Sequence, residues 1–143
     1  MWRYVIGVLL IVHGLIVGAQ SFGDFGGRPG VGVANPSWLS WWPTNLGQSW
    51  LLTRLGIEYG PAFWLAGLLW LVAMICLIAA GFGVMGVLVP HAWWPMLPVA
   101  GAAISLCLLL LFFHPFFVLG ALVDVGMLIA LLWADFPSQV LVS

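Results

Sequence analysis

Asp124 and His13 are the residues whose types and positions could do chemistry in an otherwise greasy chain. Asp124 sits in the middle of residues 116–134, a stretch with no other charged side chain. A carboxylate at bilayer depth costs free energy unless it finds a partner or a proton. His13 lies nine residues in from Tyr4, within the first apolar stretch, and Asp124 lies ten residues before Ala134. If the first and last stretches run in opposite directions, both residues sit about 14–15 Å from the same membrane face. A pair matched in depth would orient the imidazole and ease burial of the carboxylate. Its chemistry would be a proton relay or a polar ligand site. Its plainer role would be an interhelical hydrogen bond contributing about 0.6–2 kcal/mol.

The other candidates fall away on depth. His114 closes the third apolar stretch and His91 lies in a turn on the opposite face. Each differs from His13 by about 10 Å or more, so a haem held by paired histidines is not expected. His114, before Pro115, is expected to be an interfacial turn residue. Cys76 and Cys107 are expected at different depths, whereas a disulfide needs Cα atoms within about 7 Å. Both read as small buried apolar groups. The glycines of residues 21–34 follow no phosphate-loop pattern, and no metal-ligand spacing is present, so no metal is expected.

Composition sets the solvent. Hydrophobic residues make up 64% of the 143 residues and charged ones only 5%. Mean hydropathy is +1.20. So apolar a chain cannot bury its surface in one aqueous core, so lipid must cover it, and bound lipid is expected. A net charge of −1 argues against a nucleic-acid partner.

Four apolar stretches must position the pair: residues 4–19, 61–89, 96–113 and 116–134. A bilayer core needs about 20 helical residues, with about 17 as the lower end. His114-Pro115 divides the last two stretches, because proline disfavours helix in the residue before it and starts a helix well. Residues 90–95 turn between the second and third. The expected fold is an all-α integral membrane bundle of four helices in a single domain. Both termini then share one face. Arg3 abuts the first span, while Arg28 and Arg54 are offset by Asp24 and Glu58, which favours a cytoplasmic face. Residues 17–19 fit a small-residue cleavage site, but His13 and two glycines in the apolar core favour an uncleaved span.

Between the first two spans lies a long connection, residues 20–60. Residues 21–34 are glycine-rich and are not expected to form regular helix. Residues 35–55 carry Trp38, Trp41, Trp42 and Trp50. Tryptophan favours the headgroup level, so this segment is expected at the interface. Thr44 would cap a helix running to Leu55, with Leu46, Trp50 and Leu51 turned to lipid. Trp2, Trp93, Trp94 and Trp133 form the belt on the other face. Gly7, Gly14 and Gly18 in the first helix, Gly101, Ala102 and Ser105 in the third, and Gly126 and Ala130 in the fourth are small residues expected to let helices approach closely.

Residues 5–17 read VIGVLLIVHGLIV. This apolar–His-Gly–apolar element, followed by three further spans, resembles the DoxX-like group of small four-span membrane proteins. The resemblance rests on His13, Gly14 and the overall plan, and implies a redox- or quinone-associated role. Residues 62–84 hold neither the Glu nor the Arg usual around the second span in that group. The expected function is a non-catalytic accessory subunit of a larger membrane assembly, partnered by other membrane subunits or by copies of itself. The alternatives are the DoxX-like redox role and a small proton-linked carrier using His13 and Asp124.

Overall fold

A computed structural model describes residues 1–26, 33–57, 60–90 and 92–133. Among these the chain is all-helical: α1 Trp2–Ala19, α2 Ser21–Gly26, α3 Trp50–Arg54, α4 Pro61–Met85, α5 Met96–Leu111 and α6 Val118–Leu132. Short 3-10 turns cover Ser37–Leu39 and Pro115–Phe117. Three segments are long and apolar enough to cross a membrane: Trp2–Phe25, Pro61–Met85 and Pro115–Leu132. The fourth, α5, has only 16 residues, about 24 Å of helix against a hydrocarbon core of about 30 Å.

α4 is the centre. It packs against α1, α2 and α5, while α6 packs on α5. Pro61 starts α4 at its first turn, where a missing N–H costs nothing. Gly86 ends it in the left-handed region, at φ 76°. There Gly86 N–H donates to Gly83 O, and Val87 N–H to Phe82 O at 2.9 Å. This paired closure satisfies two end carbonyls and stops the helix at Met85, short of the expected 89.

The α1–α4 seam is built on glycine. A Cβ on Gly81 would lie 2.6 Å from Gly7 O, and one on Gly7 would lie 2.8 Å from Gly81 O. Gly14 and Gly18 face Leu77 and Met74 of α4 in the same way. Gly101 of α5 rests on Leu77 and the Ala73 carbonyl. Ala73, Leu77 and Ala80 are fully buried between these neighbours. Small residues let backbones approach closely enough for dispersion contacts to replace a hydrophobic drive that lipid does not supply.

α6 differs. Asp124 is its sole buried residue. A Cβ on Gly126 would meet nothing within 4 Å, and Ala130 is half-buried. The expectation that Gly126 packs inside the bundle is therefore corrected: α6 touches its neighbours through the Asp124 side, and Gly126 points away from them.

The long connection also departs from expectation. Gln20 stays in the right-handed helical region, so α1 runs on into α2 instead of breaking at the glycines. Thr44 caps no helix. The short α3 is capped by Ser49, whose hydroxyl accepts Leu52 N–H at 3.1 Å. Val33 and Leu46 exchange backbone hydrogen bonds at 3.1 and 3.2 Å, closing the segment between them. The same Ser49 hydroxyl donates to Leu111 O at 2.7 Å, and Trp50 Nε1–H donates to Leu110 O at 2.8 Å. Both are terminal carbonyls of α5 that lack intrahelical donors. Trp50 thus sits half-buried on the end of α5.

Candidate functional site

His13 Nε2 and Asp124 Oδ1 lie 2.8 Å apart, at hydrogen-bond distance. The contact joins α1 to α6, the two outer helices, which pack on α4 and α5 rather than on each other. Asp124 is fully buried and His13 is 13% exposed. The helix pattern explains the placement. His13 precedes Gly14 and Val17 on the face α1 turns inward, and Asp124 is the one residue α6 buries. With both ring nitrogens protonated the pair is a salt bridge; with one, it is a hydrogen bond between a neutral imidazole and the carboxyl group. Either form removes the cost of a lone carboxylate in an apolar bundle. Asp124 Oδ2 is buried without a partner.

A second polar cluster sits where the long connection meets the α5–α6 turn. His114, expected at the interface, is instead 1% exposed. Its Nδ1 accepts Phe116 N–H at 3.2 Å. With Nδ1 an acceptor, the neutral ring carries its proton on Nε2 and donates to Asn35 Oδ1 at 3.0 Å. Asn35 in turn donates to Thr44 O at 3.0 Å and Trp42 O at 3.3 Å, and Trp42 Nε1–H donates to Thr44 Oγ1 at 3.0 Å. Burial lowers the His114 pKa from its usual 6.5, because the charged ring loses water there. His114 fixes the connection to the turn and has no nitrogen free for a ligand.

Asp24, in sequence no more than a loop charge, is a buried carboxylate. Trp70 hydrogen-bonds to it, and both border a cavity of about 160 Å³ with Gln20, Phe112 and Phe117. Its position could have been inferred: His13, Val17, Gln20 and Asp24 fall on one helical face if α1 is allowed to continue past Ala19.

The tryptophans divide unevenly. Trp2, Trp38, Trp41, Trp93 and Trp133 are exposed. Trp94 is not, which corrects its assignment to the interfacial belt. It is 5% exposed and fills the space left by Gly83, whose added Cβ would lie 2.7 Å from Trp94 Cβ. Trp42 is half-buried, edge-on to Phe113 and to His114. Cys76 and Cys107 are free thiols, but Cys76 is only half-buried and Cys107 is exposed, so neither is the buried group expected. Among the described residues, no three His, Cys, Asp or Glu side chains converge on a metal-sized site. His91, Arg28, Glu58 and Ala134 lie outside the described residues.

Among the described residues, fold and site together define an all-helical arrangement with three helices apolar enough to cross a membrane and a buried imidazole–carboxylate pair between two of them. No family profile, curated protein or solved structure matches the chain.

Proposed function

We propose that the chain is a four-span membrane protein, with α5 as a short third span, acting as a non-catalytic accessory subunit of a larger membrane assembly. Both termini then lie on one face, taken as cytoplasmic because Arg3 abuts the first span. A short span is accommodated by local thinning of the bilayer. The observation that carries the subunit reading is unequal burial. Only 6% of the α6 window is buried, against 33% and 39% for the other two long segments. Gly126 opens on empty space on that side, a surface suited to close approach by an apolar helix of another subunit. The test is native mass spectrometry of the tagged protein extracted from its own membranes in mild detergent. The subunit reading expects a stoichiometric membrane partner that is lost in Gly126→Trp. Recovery of the chain alone, or only with copies of itself, contradicts it.

A proton-linked carrier is the second reading, favoured by the full burial of Asp124 next to His13. It expects pH-gradient-driven uptake by reconstituted vesicles that Asp124→Asn abolishes. The DoxX-like redox role keeps His13-Gly14 as its support. In this chain His13 is engaged by Asp124, and Gly14 by Leu77.

A further inference from the structure

We propose that Ser105 is a third member of the midplane site, and that its hydroxyl and Asp124 Oδ2 together bind one water molecule. Both residues are fully buried, and Ser105 Oγ and Asp124 Oδ2 each lack a hydrogen-bond partner. They are chemically complementary: a hydroxyl can donate, and a carboxylate oxygen can accept.

Register puts them at one depth. α5 and α6 form an antiparallel pair joined by a tight turn. Ser105 stands six residues before Leu111, the end of α5, and Asp124 six residues after Val118, the start of α6. Each is therefore about 9 Å from the turn along its own helix.

Leaving such an oxygen unsatisfied costs about 1–3 kcal/mol per group. A helical serine ordinarily avoids this by donating to the carbonyl four residues back, but Ser105 Oγ makes no such bond. Nor does it bond Asp124 directly. A water between them accepts from the Ser105 hydroxyl and donates to Asp124 Oδ2, so both orphans are satisfied by one guest. The result is a continuous chain, Ser105–water–Asp124–His13, linking α5, α6 and α1. It concerns what occupies the site and is independent of the accessory-subunit reading, whose test by partner recovery leaves it untouched.

The experiment is water-edited solid-state NMR on the full chain in bilayers, with carbon-labelled Asp and Ser. Magnetisation from a bound water should reach the Asp124 carboxyl carbon in the wild type. It should be lost in Ser105→Ala, a change that favours helix, and retained in Ser105→Thr. The His13–Asp124 contact, followed in the same samples, reports that the bundle is intact. Should Ser105→Ala lose that contact, the wild-type and Ser105→Thr spectra decide. Absence of transfer in the wild type overturns the proposal. So does transfer that persists unchanged in an intact Ser105→Ala bundle.

Discussion

His13 and Asp124 meet at 2.8 Å although the helices that carry them are packed on other partners. The contact therefore acts as a tie across the bundle, not as a by-product of helix packing. A double-mutant cycle with His13→Leu and Asp124→Leu should give a coupling of about 1–2 kcal/mol, the upper part of the range for hydrogen bonds inside membranes. Asp124→Asn keeps a hydrogen-bonding partner for the ring and should cost less than about 1 kcal/mol. Reversible unfolding in mixed micelles measures both.

The glycines should separate sharply. Gly81→Ala forces a methyl against the Gly7 carbonyl, and backbone cannot swing aside, so a loss of about 1–3 kcal/mol is expected. Gly18→Ala meets the Met74 side chain first, whose Sδ and Cγ can move with a rotamer change, and should cost less. Gly126→Ala has open space and a helix to stabilise, so it should be neutral or stabilising by up to about 1 kcal/mol. Thermal melts of the three variants in one detergent check the order.

Much of this was legible in the sequence, and the limits have physical causes. The apolar helices, the proline break at 115 and the meeting of His13 with Asp124 follow from length, period and helical rise. The continuation of α1 into α2 was hidden because glycines at 23 and 26 discourage helix, yet α2 packs on α4, which overrides weak propensity. Trp50 and His114 depart from expectation for a common reason. Their partners, Leu110 O and Asn35, are distant in sequence, and such side-chain hydrogen bonds leave no periodic trace. Gly126 had the same sequence signature as Gly14. Only tertiary packing tells which small face has a neighbour.

His114 should make stability pH-dependent. Its folded-state pKa lies below the usual 6.5. The unfolded chain therefore takes up the proton first as pH falls, and protonation favours unfolding. The contribution is complete above pH 6.5 and is lost as pH drops through the lowered value. Protonation also puts a hydrogen on Nδ1, where Phe116 N–H needs an acceptor. His114→Gln should flatten this dependence. Unfolding curves collected from neutral to mildly acidic pH give the comparison.

Ser49 serves two helices, accepting from Leu52 N–H and donating to Leu111 O. Ser49→Ala should cost about 1–2 kcal/mol, combining a lost cap with a lost bond to a helix end. Trp50→Phe removes the donor to Leu110 O while keeping an aromatic ring, and should cost about 0.5–1.5 kcal/mol. Hydrogen exchange should rise in the last turn of α5 and at α3, with α4 unchanged.

The His13–Asp124 pair is tested most directly by nitrogen–carbon dipolar recoupling between the His13 ring and the Asp124 carboxyl, in the full chain reconstituted into bilayers. A hydrogen bond of 2.8 Å predicts strong transfer from His13 Nε2 to the Asp124 carboxyl carbon, abolished in Asp124→Leu. No transfer in a folded wild-type sample would mean that the two side chains do not meet, and the tie between α1 and α6 would not exist.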